Sequence, residues 1–312
     1  METLPRANAL AVPFQLRAND VVKHVINVDS RFRDTPGQSR STDYYFTLLA
    51  PVRNVLRIRI TSVELPNNYF FFTAARRNVS LEVRWGPGGT NAAAIVIPDG
   101  NYTAGDMLDA LVAELAAAGL GWISVDFSEV EGAFTFVGNQ SFTINTTYGS
   151  HDRPFDYGLG YFLGLTRGAH AAAGPDGSGN WSVMSDRCAY FAGDNYVFLK
   201  VNDYDCVRHT MRVYDATGRT EMARDELTAL AKVVIREPKN YMTFDDYASQ
   251  HAKEVVFPAP TDVARLHVRL LDAYGDVIDF CGAQWSFSVE VLEVRNTTLY
   301  NTLRDSLSLR YV

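Results

Sequence analysis

The chain has 312 residues, with 29 Lys and Arg against 36 Asp and Glu for a net charge of −7. That acidic balance speaks against wrapping nucleic acid, which needs basic surface to neutralise phosphates. A hydrophobic fraction of 47% with 21% charged residues excludes wholesale disorder, and the length suits one large β domain or two ordinary ones.

Aromatic residues reach 12%, a bias toward strands over helices. Three cysteines (Cys188, Cys206 and Cys281) cannot all pair within one chain, which argues for a reducing compartment over a disulfide scaffold. Each lies in or beside an apolar strand pattern and is expected to be a small buried hydrophobe. No run approaches eighteen apolar residues and no signal-peptide core is visible, so neither a membrane span nor secretion is expected. The six Asn-x-Ser/Thr triplets therefore read as chance products of an Asn- and Thr-rich β protein.

In chain order, residues 1–20 form an arm without a regular period, with Pro5 and Pro13 discouraging structure. VVKHVINVDS (21–30) is β-branched and strand-like, and TPGQSRSTD ends it. YYFTLL (44–49) is a short strand closed by Pro51. In NVLRIRITSVEL, Leu56, Ile58 and Ile60 share one face while Arg57, Arg59 and Thr61 share the other, the period of an antiparallel strand with one buried side. NVSLEVRW repeats that form.

One segment is helical, near 103–118. Met107, Leu108, Leu111, Val112 and Leu115 recur at helical spacing, Thr103 with Asp106 suits a capping box, and Gly119 stops the element. A weaker helix is expected over 220–230. Short strands fill the rest: ISVDF, AFTFV, SFTINTT, YVFLKVN, TMRVYD, KVVIRE, EVVFP, RLHVRLLD and WSFSVEVLEV. Between them the Gly- and Ala-rich segment 167–180 reads as a flexible loop or an inter-lobe linker. About a dozen short strands and one long helix predict an all-β, mainly antiparallel fold. Its form is a jelly-roll-like β-sandwich over 21–295, with an inserted surface helix, an N-terminal arm (1–20) and a C-terminal tail (296–312).

The patterns of named chemistries are missing: no phosphate loop, no dinucleotide fingerprint, no nucleophile elbow and no zincin helix. DYGLGYFLG (156–164) is glycine-spaced but followed by nothing basic. Asp203, Asp205, Cys206 and His209 are the best metal ligands available, yet no second cluster matches them, and they read as a polar strand end. Glu129 with Glu131 and Asp245 with Asp246 are loop neighbours without contrasting environments. No cofactor, metal or catalytic residue is assigned.

Two strand-end signatures stand out. Ile26–Asp34 sets Asp29, Arg31, Phe32 and Arg33 directly after an apolar strand. There Asp29 can cap a turn, and an arginine paired bidentately with a carboxylate can fix how a neighbouring segment docks. The second is SVELPNNYFFFT, with Glu64, Pro66, Asn67, Tyr69, Phe70 and Phe71. Four consecutive aromatics from Tyr69 exceed one core face and make either an inter-sheet corner or, as favoured, a partner surface. In the tail, Leu299, Leu303 and Leu307 recur every four residues and suit a short amphipathic helix docking on a partner.

INVDSRFRD, DYYFTLLAPVRNVLRIRITSVELPNNY, IPDGNYTAGDMLDAL, YFLGL, NYVFLKVNDYD and RLHVRLLDAYGDVIDFCGAQWSFSVEVLEV occur in that order. Together they resemble the minor structural proteins of nucleocytoplasmic large DNA viruses, over most of residues 22–295. Loop 167–180 and the tail depart from the pattern. The resemblance implies a non-enzymatic, multi-copy β-sandwich component of the virion. Its partners would be the major capsid protein and other minor capsid proteins, with assembly in the host cytoplasm and no direct contact with nucleic acid. Within that class the expectation is a minor capsid protein that bridges or cements capsomers, and the alternative is a penton protein of the fivefold vertices. A carbohydrate-binding sandwich for host attachment is the competing class, with Trp85, Trp122, Trp181 and Trp285 as its sugar platforms.

Overall fold

The computed structural model describes residues 20–150, 155–201, 229–239, 241–245 and 254–295. In chain order the elements are β1 (Val21–Asp29), β2 (Asp43–Pro66), β3 (Ser80–Trp85), β4 (Asn91–Val96) and α1 (Ala104–Ala117). Then follow β5 (Ile123–Ser128), β6 (Ala133–Gly138), β7 (Phe142–Asn145), α2 (Leu159–Phe162), β8 (Ala169–Ala171) and β9 (Trp181–Met184). The described chain closes with β10 (Tyr196–Val201), β11 (Ala231–Val234), β12 (Met242–Asp245), β13 (Glu254–Leu271) and β14 (Ser286–Val294). The fold class is the one expected: mainly antiparallel β, few helices, and curled sheets in a jelly-roll-like sandwich.

The largest sheet runs β1-β14-β2-β13-β10-β11, with β12 paired to the end of β2. Its long strands differ from the short ones that the sequence suggests. YYFTLL and NVLRIRITSVEL are a single 24-residue β2, and EVVFP and RLHVRLLD are a single 18-residue β13. Pro51 does not end the strand because it falls where the β2–β13 register shifts, between the Thr47–Arg265 and Val52–Val263 partners. A proline has no N–H for the ladder and is tolerated at such an irregularity. Asn54 adopts φ +51° in the same stretch. Each shift changes which side chains face inward, so Tyr44, Val52, Val55, Ile58, Ile60, Val63 and Leu65 all reach one core.

Residues between β2 and β10 build two smaller sheets, β4-β3-β7-β8 and β5-β6-β9, with α1 beside them. Thr103 Oγ1 accepts from the Asp106 N–H and the Asp106 carboxylate accepts from the Thr103 N–H, completing the capping box. Met107, Leu111 and Leu115 are buried, while Val112 is exposed. The interior is accordingly divided. One apolar cluster fills the large sheet, and a second joins Phe71, Phe72, Leu81, Met107, Leu111, Phe134, Phe142 and Phe162 of the insertion.

The 167–180 segment, expected as a flexible loop or an inter-lobe linker, carries regular structure. It contributes β8, hydrogen-bonded to β7, and Asp176 Oδ1 accepts from the Ser178 and Asn180 N–H groups to close the following turn. Cys188 and Cys281 are exposed free thiols rather than buried hydrophobes. Both sit in connecting segments, Cys188 donating to the Glu131 carbonyl and Cys281 at φ +53°. The arm 1–19, residues 220–228 of the helix expected over 220–230, Cys206 with its neighbouring metal candidates, and the tail with Leu299, Leu303 and Leu307 lie outside the described residues, and Ala229 and Leu230 are not helical. No helix among the described residues is long and apolar enough to cross a membrane.

Candidate functional site

The first motif closes the end of β1. Asp29 caps a single 3-10 turn (Ser30–Phe32), its Oδ1 accepting from the Arg31 N–H at 2.8 Å. The Arg31 side chain folds back onto the same carboxylate, and that hydrogen bond holds the Asp29 carboxyl below its usual range against the opposing effect of burial. The expected arginine–carboxylate pair is thus local, because two residues of turn bring its partners together before any other segment can. Phe32 is left 72% exposed, with the Arg31 guanidinium 5.8 Å from its ring centroid.

Docking falls instead to Arg33 and Asp34. Arg33 donates to the carbonyls of Ser30, Pro36 and Ser39 and to Gln284 Oε1 at 2.9 Å. Buried Ser30 donates to Gln284 Oε1 and accepts from the Trp285 N–H, tying the motif to the segment before β14. Asp34 accepts from the Thr47 N–H and hydroxyl and from Arg265 Nε at 3.0 Å.

The second motif is where β2 leaves the large sheet for the insertion. Glu64 is exposed and accepts from the Ser286 hydroxyl at 2.9 Å, and Pro66 ends the strand. Buried Asn67 donates to the Glu237 carbonyl at 2.8 Å. Tyr69 joins the large-sheet core, while Phe71 and Phe72 enter the insertion core. The aromatic run is therefore the inter-sheet corner, contrary to the favoured partner surface, for Tyr69, Phe71 and Phe72; only Phe70 is exposed. The physical reason is that a second core lies directly behind the first and takes the rings that one face cannot. Asn101 and Asn78 hold this crossing, accepting from the N–H groups of Phe71 and Thr73 and donating to the carbonyls of Tyr69 and Phe71.

Beside the corner lies a buried charged junction that no local pattern announces. Arg76 Nη2 is 3.0 Å from Asp272 Oδ2, the two side chains only 10% and 3% exposed. The Arg76 guanidinium also stands over the Tyr69 and Phe71 rings. Lys239 Nζ donates to the Tyr69 carbonyl at 3.1 Å and lies 3.5 Å from that ring's centroid. The Tyr69 hydroxyl donates to the Asp194 carbonyl. Burial raises the Asp272 and Asp194 carboxyls, lifts the Tyr69 hydroxyl to about 12 and pushes the Lys239 ammonium down to about 8. Charges held out of water in this way need one another. Arg76 belongs to the insertion and Asp272 follows β13, so the pair joins the two cores.

The arrangement ties the large-sheet core to the insertion core. Among the described residues no group of three or more His, Cys, Asp or Glu is placed to hold a metal. Trp285 is buried against Phe287 and Tyr44, and Trp85, Trp122 and Trp181 are half-buried against the insertion core, so none stands as an open sugar platform.

No protein-family model and no curated protein matches the chain. Among solved structures it is similar to the mavirus penton protein, at 9% identity and a TM-score of 0.45, over 87% of this chain and 98% of that one.

Proposed function

We propose that this chain is a non-enzymatic structural component of a large icosahedral viral capsid, a minor capsid protein that bridges or cements major capsid capsomers. The observation that carries the reading is where the family-like motif blocks meet. Residues 26–34, 43–69 and 265–294 are far apart in sequence, yet they supply the adjoining strands β1, β14, β2 and β13. Arg33, Ser30 and Asp34 of the first block hydrogen-bond residues of the last. The resemblance thus follows one physical unit instead of scattered short patterns.

Partners would be the major capsid protein and other minor capsid proteins, with many copies per virion and assembly in the host cytoplasm. Exposed Phe32, held under Arg31, and exposed Phe70 are the contact candidates, since aromatic side chains and arginine are enriched at protein interfaces. Glu64, Pro66, Asn67, Tyr69 and Phe71 serve the fold of the corner. The tail leucines Leu299, Leu303 and Leu307 would dock on a neighbour.

Localising the chain in purified particles by cryo-electron microscopy tests the reading. Density between or beneath capsomers is expected. Density confined to fivefold vertices would make the chain a vertex protein and sink the cementing role, and absence from particles would sink the capsid role. Deletion of residues 296–312 should lower incorporation; unchanged incorporation removes the tail from assembly.

A further inference from the structure

A strand at the rim of a sheet leaves half of its backbone N–H and C=O groups unpaired. Folded proteins guard such rims with charges, prolines, bulges or short length. Most rims of the described sheets are guarded in this way. β1 carries Lys23 and His24, β5 carries Asp126, β11 Lys232 and β12 Asp245, and β8 has only three residues. The rim of β9 is bridged by Ala173, which exchanges backbone hydrogen bonds with Ser182.

β4 is the exception. NAAAIV (Asn91–Val96) is six residues without a charge, a proline or a shift in its register on β3. Among the described residues no strand pairs with its other side. The Ile97 N–H donates to the Val79 carbonyl at 2.9 Å. Alternate residues of a strand turn their backbone groups to opposite neighbours. Odd-numbered residues therefore bond β3, and Ala92, Ala94 and Val96 present their N–H and C=O groups outward. The same three side chains are exposed, Val96 at 48%, while Ala93 and Ile95 pack into the insertion core and fix which side faces out.

This rim is complementary to itself. Antiparallel pairing with a second β4, Ala94 opposite Ala94, sets Ala92 opposite Val96 and Val96 opposite Ala92, so each outward backbone group meets one from the partner. Beyond the strand the same register sets Ile97 opposite Asn91 and Asp99 opposite Gly89. No like charges face each other, which is what opposes the self-pairing of a charged rim. The nearest charged ladder neighbour of Ala94 is Glu82 on β3, already ion-paired with Arg84. A second copy also brings its strand ready-made, whereas an unstructured peptide would have to be ordered first, at an entropic cost.

We infer that β4 is an interface for a second copy of this chain, paired antiparallel about a twofold axis at Ala94 so that the two four-stranded sheets become one. A ladder this short falls below the roughly 1,000 Å² of a standing interface, so the dimer is reversible and fills as concentration rises. This inference does not rest on the capsid reading.

Sedimentation equilibrium of the full chain, from micromolar to millimolar, tests it with two charge variants at the axis. The mean mass of the parent should climb toward twice that of the monomer. Ala94→Lys and Ala94→Glu each set like charges opposite one another and should weaken association at least about tenfold, and an equimolar mixture of the two should restore it. In residue-resolved hydrogen exchange, protection of Ala92 and Val96 should rise with concentration in the parent and not in Ala94→Lys. The β3-bonded amides of Ala93 and Ile95 report whether each variant is folded. A parent that stays monomeric throughout would overturn the interface, as would association that persists in either charge variant alone. A mixture that fails to associate would remove the twofold pairing. Protection of Ala92 and Val96 that does not depend on concentration would mean that the rim is covered within one chain, and would overturn it too.

Discussion

The large sheet and the insertion both close apolar cores but bring their residues together over very different sequence distances. In the sheet, β1 pairs with β14 and β2 with β13, so its core closes only when both ends of the chain are present. The insertion core is drawn almost wholly from residues 71–191. Local contacts form at lower entropic cost than distant ones, so the insertion should order first and the sheet last. Among the described residues, the contacts that couple them include the Tyr69–Phe71 crossing, the Arg76–Asp272 pair, and Tyr274 packed against Tyr157 and Phe155.

The largest effect should come from cutting that coupling. Arg76→Ala leaves Asp272 buried without its partner and should cost about 3–5 kcal/mol, splitting urea unfolding into two transitions when fluorescence and circular dichroism are compared. Joint replacement by Arg76→Met and Asp272→Leu should recover much of the loss. A single unfolding transition at the parent midpoint in Arg76→Ala would mean that the junction does not join the halves.

Cavities sharpen the contrast. Leu111→Ala and Ile60→Ala should each cost about 2–5 kcal/mol, since both side chains are fully buried. Hydrogen exchange should rise only within the insertion for Leu111→Ala, but through the whole sheet for Ile60→Ala. Smaller still, Thr103→Ala removes half of the capping box and should cost about 1 kcal/mol, confined to α1 and its neighbours.

The junction also predicts a pH signature. The folded chain gives up the Lys239 proton at about 8, well before the unfolded chain does at 10.5. Lys239 therefore penalises the fold below that range, and the penalty is relieved as pH rises, so its contribution to stability increases between pH 8 and 10. The raised Tyr69 hydroxyl acts in the opposite sense only above 10. Lys239→Met should flatten the rise; an unchanged pH profile would deny the ammonium that role. Least of all in stability, Phe32→Ala should stay within about 0.5 kcal/mol of the parent while lowering particle incorporation.

Much of the architecture is legible locally. Thr103, Asp106 and the Met107–Leu111–Leu115 spacing specify α1 without help from the rest of the chain. The alternation through Ile58 and Ile60 specifies a half-buried strand. Pro51 misleads because whether it ends a strand depends on the partner's register, and Val263 and Arg265 lie more than two hundred residues away. The aromatic run misleads because one chain segment cannot reveal that a second core waits behind the first. Around Tyr69 the charged junction draws on residues 76, 194, 239 and 272, each an ordinary surface-type or turn residue in its own neighbourhood, so only folding exposes their shared burial. Asp29 was visible as a turn cap, whereas its local pairing with Arg31 and the longer reach of Arg33 to Gln284 were not.

Because β1 and β14 are antiparallel and bonded from Asp20–Arg295 onward, Asp20 and Arg295 stand at the same corner of the sheet. The mechanical consequence is directional. Tension applied between those two residues would open the β1–β14 ladder like a zipper, one pair at a time, beginning at Val21 and Val294. Tension between either residue and the insertion would instead load many ladder bonds of β2 in parallel. Force applied through Asp20 and Arg295 therefore meets a more compliant direction than force applied between either of them and the insertion.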